Sequence, residues 1–282
     1  MTSSTAGFRS ASQWLCAAGL APVALVALMA ISGCAGGNLS GATSASARPD
    51  LVTDSDEPEA RKRARLRLQL ASGYFEQGQT SVALDELKQA IATDPNFADA
   101  FNLRGLIYMR LNEPRLAEDS FRRAVALNPN APNTLHNFGW MMCQQNRYAE
   151  SNVLFGQAMA SPVYGDQAKT LLAQGVCQAR AGQSAEAERT LARSYELDAA
   201  NPITGYNLAN LLYKRGEFVR AQFYIRRLNN SELSNAETLW LGIRVERRVD
   251  DRVAMLQLVD QLKRRFPQSK EMAAYDRGAF NE

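Results

Sequence analysis

The chain is 282 residues long, with 46% hydrophobic and 22% charged residues, so it can bury a core and wholesale disorder is excluded. Thirty-two basic against 29 acidic side chains leave a net charge of +3, too balanced for a protein that lives on nucleic acid. One histidine, His136, and four cysteines exclude a three-histidine metal centre and argue against a zinc site.

Residues 1–13 are mostly polar or small, and Arg9 is their only charged side chain. An apolar run follows from Trp14 to Ile31 and ends in Ile31-Ser32-Gly33-Cys34. A polar start, an apolar stretch and small residues before a cut site describe a secretory signal peptide. The ending resembles a lipobox: an aliphatic residue, two small ones, then cysteine. The resemblance implies cleavage after residue 33 and a diacylglyceryl lipid on Cys34, with no other cofactor. The other reading is an uncleaved membrane anchor, for which this run is near the lower length limit. Ala35 stands where an inner-membrane retention signal would place Asp. The resemblance therefore implies the inner leaflet of a Gram-negative outer membrane, facing the periplasm. Residues 34–60 read as the acylated cysteine and a flexible linker of Gly, Ser, Ala, Thr and acidic side chains. The cluster Arg61-Lys62-Arg63, with Arg65 and Arg67, reads as a solvated helix face; anionic lipid head groups are the other reading.

Residues 61–282 carry an internal period. The small residues Ala71, Gly105, Gly139, Gly175, Ala209 and Gly242 lie at intervals of 34, 34, 36, 34 and 33. Ala83, Ala117, Ser151, Ala187, Ala221 and Ala254 repeat those intervals, and so do the large residues Leu87, Phe121, Phe155, Leu191, Ile225 and Leu258. Prolines punctuate the repeat ends at Pro95, Pro129, Pro162, Pro202 and Pro267. This resembles the tetratricopeptide repeat, and it predicts an all-α, right-handed superhelical solenoid of about six repeats. The expected repeats are 64–97, 98–131, 132–167, 168–201, 202–234 and 235–267, with 268–282 as a cap. The two extra residues of the third repeat predict a longer turn around Ser161–Gln167.

Such a stack presents a concave face lined by the first helix of each repeat. The family's concave positions select Leu68, Phe75, Leu106, Met109, Trp140, Tyr206, Asn210 and Tyr213 here, and Asn207 lies beside them. They also select Asn102, His136, Cys143, Arg180, Lys214, Leu239 and Ile243. Aromatic side chains anchor bound peptides, and asparagine amides pair with a ligand's backbone because they donate and accept together. Cys143 and Cys177 fall on the first helices of adjacent repeats. A disulfide is geometrically conceivable, but their positions along the helices differ by two, which favours two buried thiols. No phosphate loop, paired-histidine motif or nucleophile elbow is present, so the chain reads as no enzyme and takes no small-molecule substrate.

Several stretches resemble the PilF/PilW type IV pilus biogenesis lipoproteins, the secretin pilotins. They are Asn137-Phe138-Gly139 with Gln145-Asn146-Arg147-Tyr148, and Ala209-Asn210-Leu211-Leu212-Tyr213-Lys214 with Glu217-Phe218. Leu241-Gly242-Ile243-Arg244 and the tail Leu262-Lys263-Arg264-Arg265-Phe266-Pro267 complete the likeness. The resemblance implies a lipoprotein that binds the secretin subunit and promotes its outer-membrane localisation and multimerisation. It also implies that the first repeats hold the secretin. The alternative is a general repeat adaptor that recruits periplasmic partners such as cell-wall hydrolases.

Overall fold

The computed structural model describes residues 56–280. The expected signal peptide, Cys34 and the expected linker up to residue 55 lie outside the described residues. Every regular element among the described residues is a helix. Twelve helices form six antiparallel pairs: α1 (Glu59–Glu76) with α2 (Thr80–Thr93), α3 (Ala98–Arg110) with α4 (Pro114–Leu127), and α5 (Pro132–Gln144) with α6 (Tyr148–Met159). The series continues with α7 (Gln167–Arg180) and α8 (Ser184–Leu197), α9 (Pro202–Lys214) and α10 (Phe218–Asn229), then α11 (Ala236–Arg248) and α12 (Arg252–Arg265). A short α13 (Lys270–Asp276) closes the stack. This is a tetratricopeptide-type solenoid. Helix α1 starts two residues inside the segment expected to be linker, because Pro58 holds an extended backbone and Glu59 opens the first turn.

The sequence period has a steric cause. Within each pair the small residue of the first helix faces the large residue of the second. A β-carbon at Gly105 would sit 2.7 Å from the ring of Phe121; at Gly139, 3.0 Å from Phe155; and at Gly175, 2.6 Å from Leu191. Phe121, Phe155, Leu87 and Ile225 are fully buried at these crossings. The small residues let two backbones approach, and the large ones fill the space between them.

A second period marks the turn inside each pair. Gly78, Asn112, Asn146, Gly182, Gly216 and Asp250 all have positive φ, between 57° and 79°. These residue types tolerate the left-handed region, which reverses the chain in a few residues. Prolines Pro114, Pro132 and Pro202 open α4, α5 and α9, where a missing N–H leaves no bond unmade. The Asn201 side chain caps α9, and Asn235 and Thr238 form a reciprocal capping box on α11. The longer turn between α6 and α7 carries Tyr164, which is buried against Leu135 and Ala158. At the C-terminal end, Phe280 stacks on Trp240 with ring centroids 5.4 Å apart.

Two glycines on first helices make opposite predictions. Gly105→Val forces a side chain into the Phe121 ring and costs about 1–3 kcal/mol. Gly73 in α1 has nothing within 4 Å of a β-carbon, so Gly73→Ala raises stability by about 0.5–1 kcal/mol. Thermal unfolding followed by circular dichroism separates the two, and equal midpoints would contradict the steric account of the period.

Candidate partner-binding groove

The first helices of successive pairs, α1, α3, α5, α7, α9 and α11, touch one another along one face. Several of their contacts share one offset. Counted from each helix's small residue, position +4 of one helix meets position +2 of the next. Position −3 likewise meets position −5. Tyr213 thus lies under the guanidinium of Arg244, at 5.0 Å. The Tyr206 hydroxyl donates to Glu237 at 2.8 Å, and His136 Nδ1 lies 2.8 Å from Thr170 Oγ1.

The same offset joins Cys143 to Cys177. The two form a disulfide, with Cα atoms 5.8 Å apart. This corrects the expectation of two buried thiols. The two-residue difference in position is the native stagger of these helices, not an obstacle to pairing. The bridge is buried beside Phe155, with Trp140 packed against it.

The nine predicted groove residues are all half-buried, so each packs and also presents surface. Leu68, Phe75 and Leu106 pack on the cluster of the first two pairs, around Leu87 and Ile107. Leu106 and Met109 pack on the next cluster, around Phe121 and Phe138. Arg110 stacks over Phe75 at 4.9 Å and donates to its carbonyl at 2.6 Å. Arg180 stacks over Trp140 at 5.4 Å. Asn207 donates to the Ile203 carbonyl of its own helix at 2.8 Å, which leaves its side-chain oxygen open. Asn207 and Asn210 line one cleft of about 370 Å³ with Val176, Arg180, Leu211 and Lys214. Burial and the Glu237 carboxylate push the Tyr206 phenol far above its ordinary value.

Other selected positions present little. His136, Cys143, Leu239 and Ile243 are buried. Asn102 accepts from Asn137 of the next first helix at 3.1 Å. Sequence reasoning missed Asn137, Glu237 and Arg244. The two-residue stagger is the signal that locates Glu237 and Arg244, and it becomes visible only with two contacts in hand. The basic cluster of α1 is largely neutralised: Arg61 pairs with Asp94, Lys62 with Glu59, Arg65 with Glu57 and Arg67 with Glu86. Among the described residues no group of three or more His, Cys, Asp or Glu could hold a metal ion. No helix of the described residues is long and apolar enough to cross a membrane.

Tetratricopeptide-repeat family models match residues 68–132 and 133–161. The type IV pilus assembly protein PilF of Pseudomonas aeruginosa is 30% identical over 248 residues, which covers 88% of this chain and 95% of that protein. The chain belongs to the PilF family. A solved structure of Pseudomonas aeruginosa PilF superposes with a TM-score of 0.71 at 28% identity, covering 78% of this chain and all of that one. A crystal structure of PilW, described as a widely conserved type IV pilus biogenesis factor, gives a TM-score of 0.70 at 29% identity. It covers 75% of this chain and 97% of that one.

Two predictions follow from the centre of this face. Burial, with Lys169 adding to it, pushes the His136 pKa down to about 4. The folded state then holds neutral imidazole where the unfolded chain takes a proton. Stability is fully present above pH 6.5, falls as pH drops below it, and levels off below pH 4, a loss on the order of 3 kcal/mol at most. His136→Gln flattens that part of a chemical-denaturation profile; an unchanged slope would show that His136 does not set it. The disulfide spans 34 residues of sequence. Its loss in a Cys143→Ser, Cys177→Ser double variant costs about 3–4 kcal/mol by chain entropy, measured by urea unfolding against the oxidised protein.

Proposed function

We propose that this protein is a pilotin for type IV pilus assembly, anchored by lipid on Cys34 in the inner leaflet of the outer membrane. The observation that carries the reading is the 30% identity to PilF across 88% of the chain. The solenoid grips a secretin subunit in the periplasm through its first-helix face. The lipid carries the pair to the outer membrane, and two or more acyl chains hold it there stably. Secretin subunits concentrated in two dimensions close into a ring more readily, an effective-concentration effect that needs no bond chemistry. The protein acts as no enzyme in this scheme.

The half-buried surface of Leu68, Phe75, Leu106 and Met109 supports the first two repeats as the grip. An apolar floor with a half-exposed ring gives an anchor residue of the partner a desolvated seat. Arg110 over Phe75 keeps that ring in place.

The deciding measurement is the heat-resistant secretin multimer in outer membranes of wild type, a deletion strain and Cys34→Ala. We expect the deletion to lose the multimer and Cys34→Ala to leave it scarce or in the wrong membrane. Unchanged multimer in the deletion strain would end the pilotin reading. Phe75→Ala, checked for native circular dichroism, is expected to lower secretin capture by the purified protein about tenfold or more; full capture would move the grip elsewhere.

A further inference from the structure

Five positions beyond its small residue each first helix ends, except α11, which runs one residue further to Arg248. Read along the stack, these positions are Glu76, Arg110, Gln144, Arg180, Lys214 and Arg247. Four of the six are cations. Arg110 is held by the carbonyl and ring of Phe75, and Arg247 lies over Phe280 at 4.0 Å. Arg180 likewise lies over the Trp140 ring, at 5.4 Å, and Lys214 is exposed at the same position of the next first helix. Neither has a carboxylate partner among the described residues, and both line the cleft between α7 and α9. Arg215, at the edge of the same cleft, is neutralised by Glu188 and Glu217.

The cleft is built for more than charge. Val176 and Leu211 give it an apolar floor, and Asn207 and Asn210 give it amide groups. Asn210 makes no hydrogen bond within the described residues, and Asn207 keeps its side-chain oxygen open. Amides that both donate and accept suit a peptide backbone, and two uncompensated cations suit carboxylates. We propose that this cleft binds an extended acidic protein segment, with two carboxylates seated on Arg180 and Lys214.

The spacing narrows the segment. Successive first helices pack with axes about 8–10 Å apart. A polyproline-type strand rises about 3.1 Å per residue and returns to the same face every third residue. Acidic side chains three residues apart therefore meet the two cations, while the backbone between them faces Asn207 and Asn210. An internal segment fits better than a chain terminus, because the charge is spread over two repeats rather than focused at one point. This site lies on repeats four and five and stands independently of the secretin grip on repeats one and two.

The test is fluorescence anisotropy with the full chain in detergent and labelled synthetic peptides. The probe is a Pro/Ser-rich peptide, amidated at its C-terminus, with two glutamates three residues apart. We expect it to bind, to weaken with rising salt, and to lose about fivefold or more in affinity to Arg180→Gln, Lys214→Gln. Both side chains are exposed, so neither change disturbs the core. Arg193→Gln, an exposed cation on α8 paired with Glu196, is expected to bind as wild type does. The same peptide with glutamines is expected not to bind. Equal binding of the glutamine peptide, or full binding by the double variant, would overturn the proposal. Binding only by a glutamine peptide with a free C-terminal carboxylate would overturn it too, and would assign the cleft to chain ends.

Discussion

The fold depends on one contact, repeated along the stack: a glycine or alanine of a first helix against a leucine, isoleucine or phenylalanine of its partner. With no side chain at Gly105, Gly139 or Gly175, the two backbones close to a distance at which Phe121, Phe155 and Leu191 fill the space completely. That approach fixes the crossing of each pair. The crossing in turn fixes how the next pair docks, since close-packed surfaces admit few arrangements. The stagger of two residues between successive first helices is the downstream result. It brings together Cys143 with Cys177, Tyr213 with Arg244 and Tyr206 with Glu237 across the partner-binding face.

Much of this was legible in the sequence because a steric requirement repeated six times leaves a period. Gly105 and Phe121 are informative only because Gly139 and Phe155, then Gly175 and Leu191, recur in step. The turn residues Asn112, Asn146 and Asp250 follow the same rule, yet they escape notice. Glycine, asparagine and aspartate all satisfy a positive φ, so no single residue type recurs. The site was legible only as a face. Position in the repeat selects the half-buried surface of Phe75, Trp140 and Tyr213, but it does not show that an arginine lies over each ring. Those arginines come from the next first helix, at offsets that differ from ring to ring and that packing alone sets. The disulfide escaped for the same reason.

Charge serves a different purpose on each side of the stack. Away from the first-helix face, carboxylates tie neighbouring pairs together: Arg147 joins Glu118 and Glu150, and Glu188 holds both Arg215 and Arg220. Exposed pairs of this kind contribute little each. Glu246 is different, since it is 1% exposed and receives two bonds from Arg226 and one from Gln222. Removing Arg226 would strand a buried carboxylate, so this network commits the fifth and sixth pairs to one arrangement. On the first-helix face Arg110, Arg180 and Arg247 lie over aromatic rings instead, and no carboxylate among the described residues pairs with them.

The covalent link between Cys143 and Cys177 has a consequence for how the stack comes apart. In a linear array each repeat senses only its neighbours, so ends fray and the loss can run inward pair by pair. A bridge between the third and fourth repeats makes one double-length unit at the centre. Fraying from either end then meets a segment that opens only as a whole. The array behaves as two short arms on a rigid middle: the arm with the apolar seat of Phe75 can loosen and re-form while the centre, with Trp140 and Arg180, stays folded.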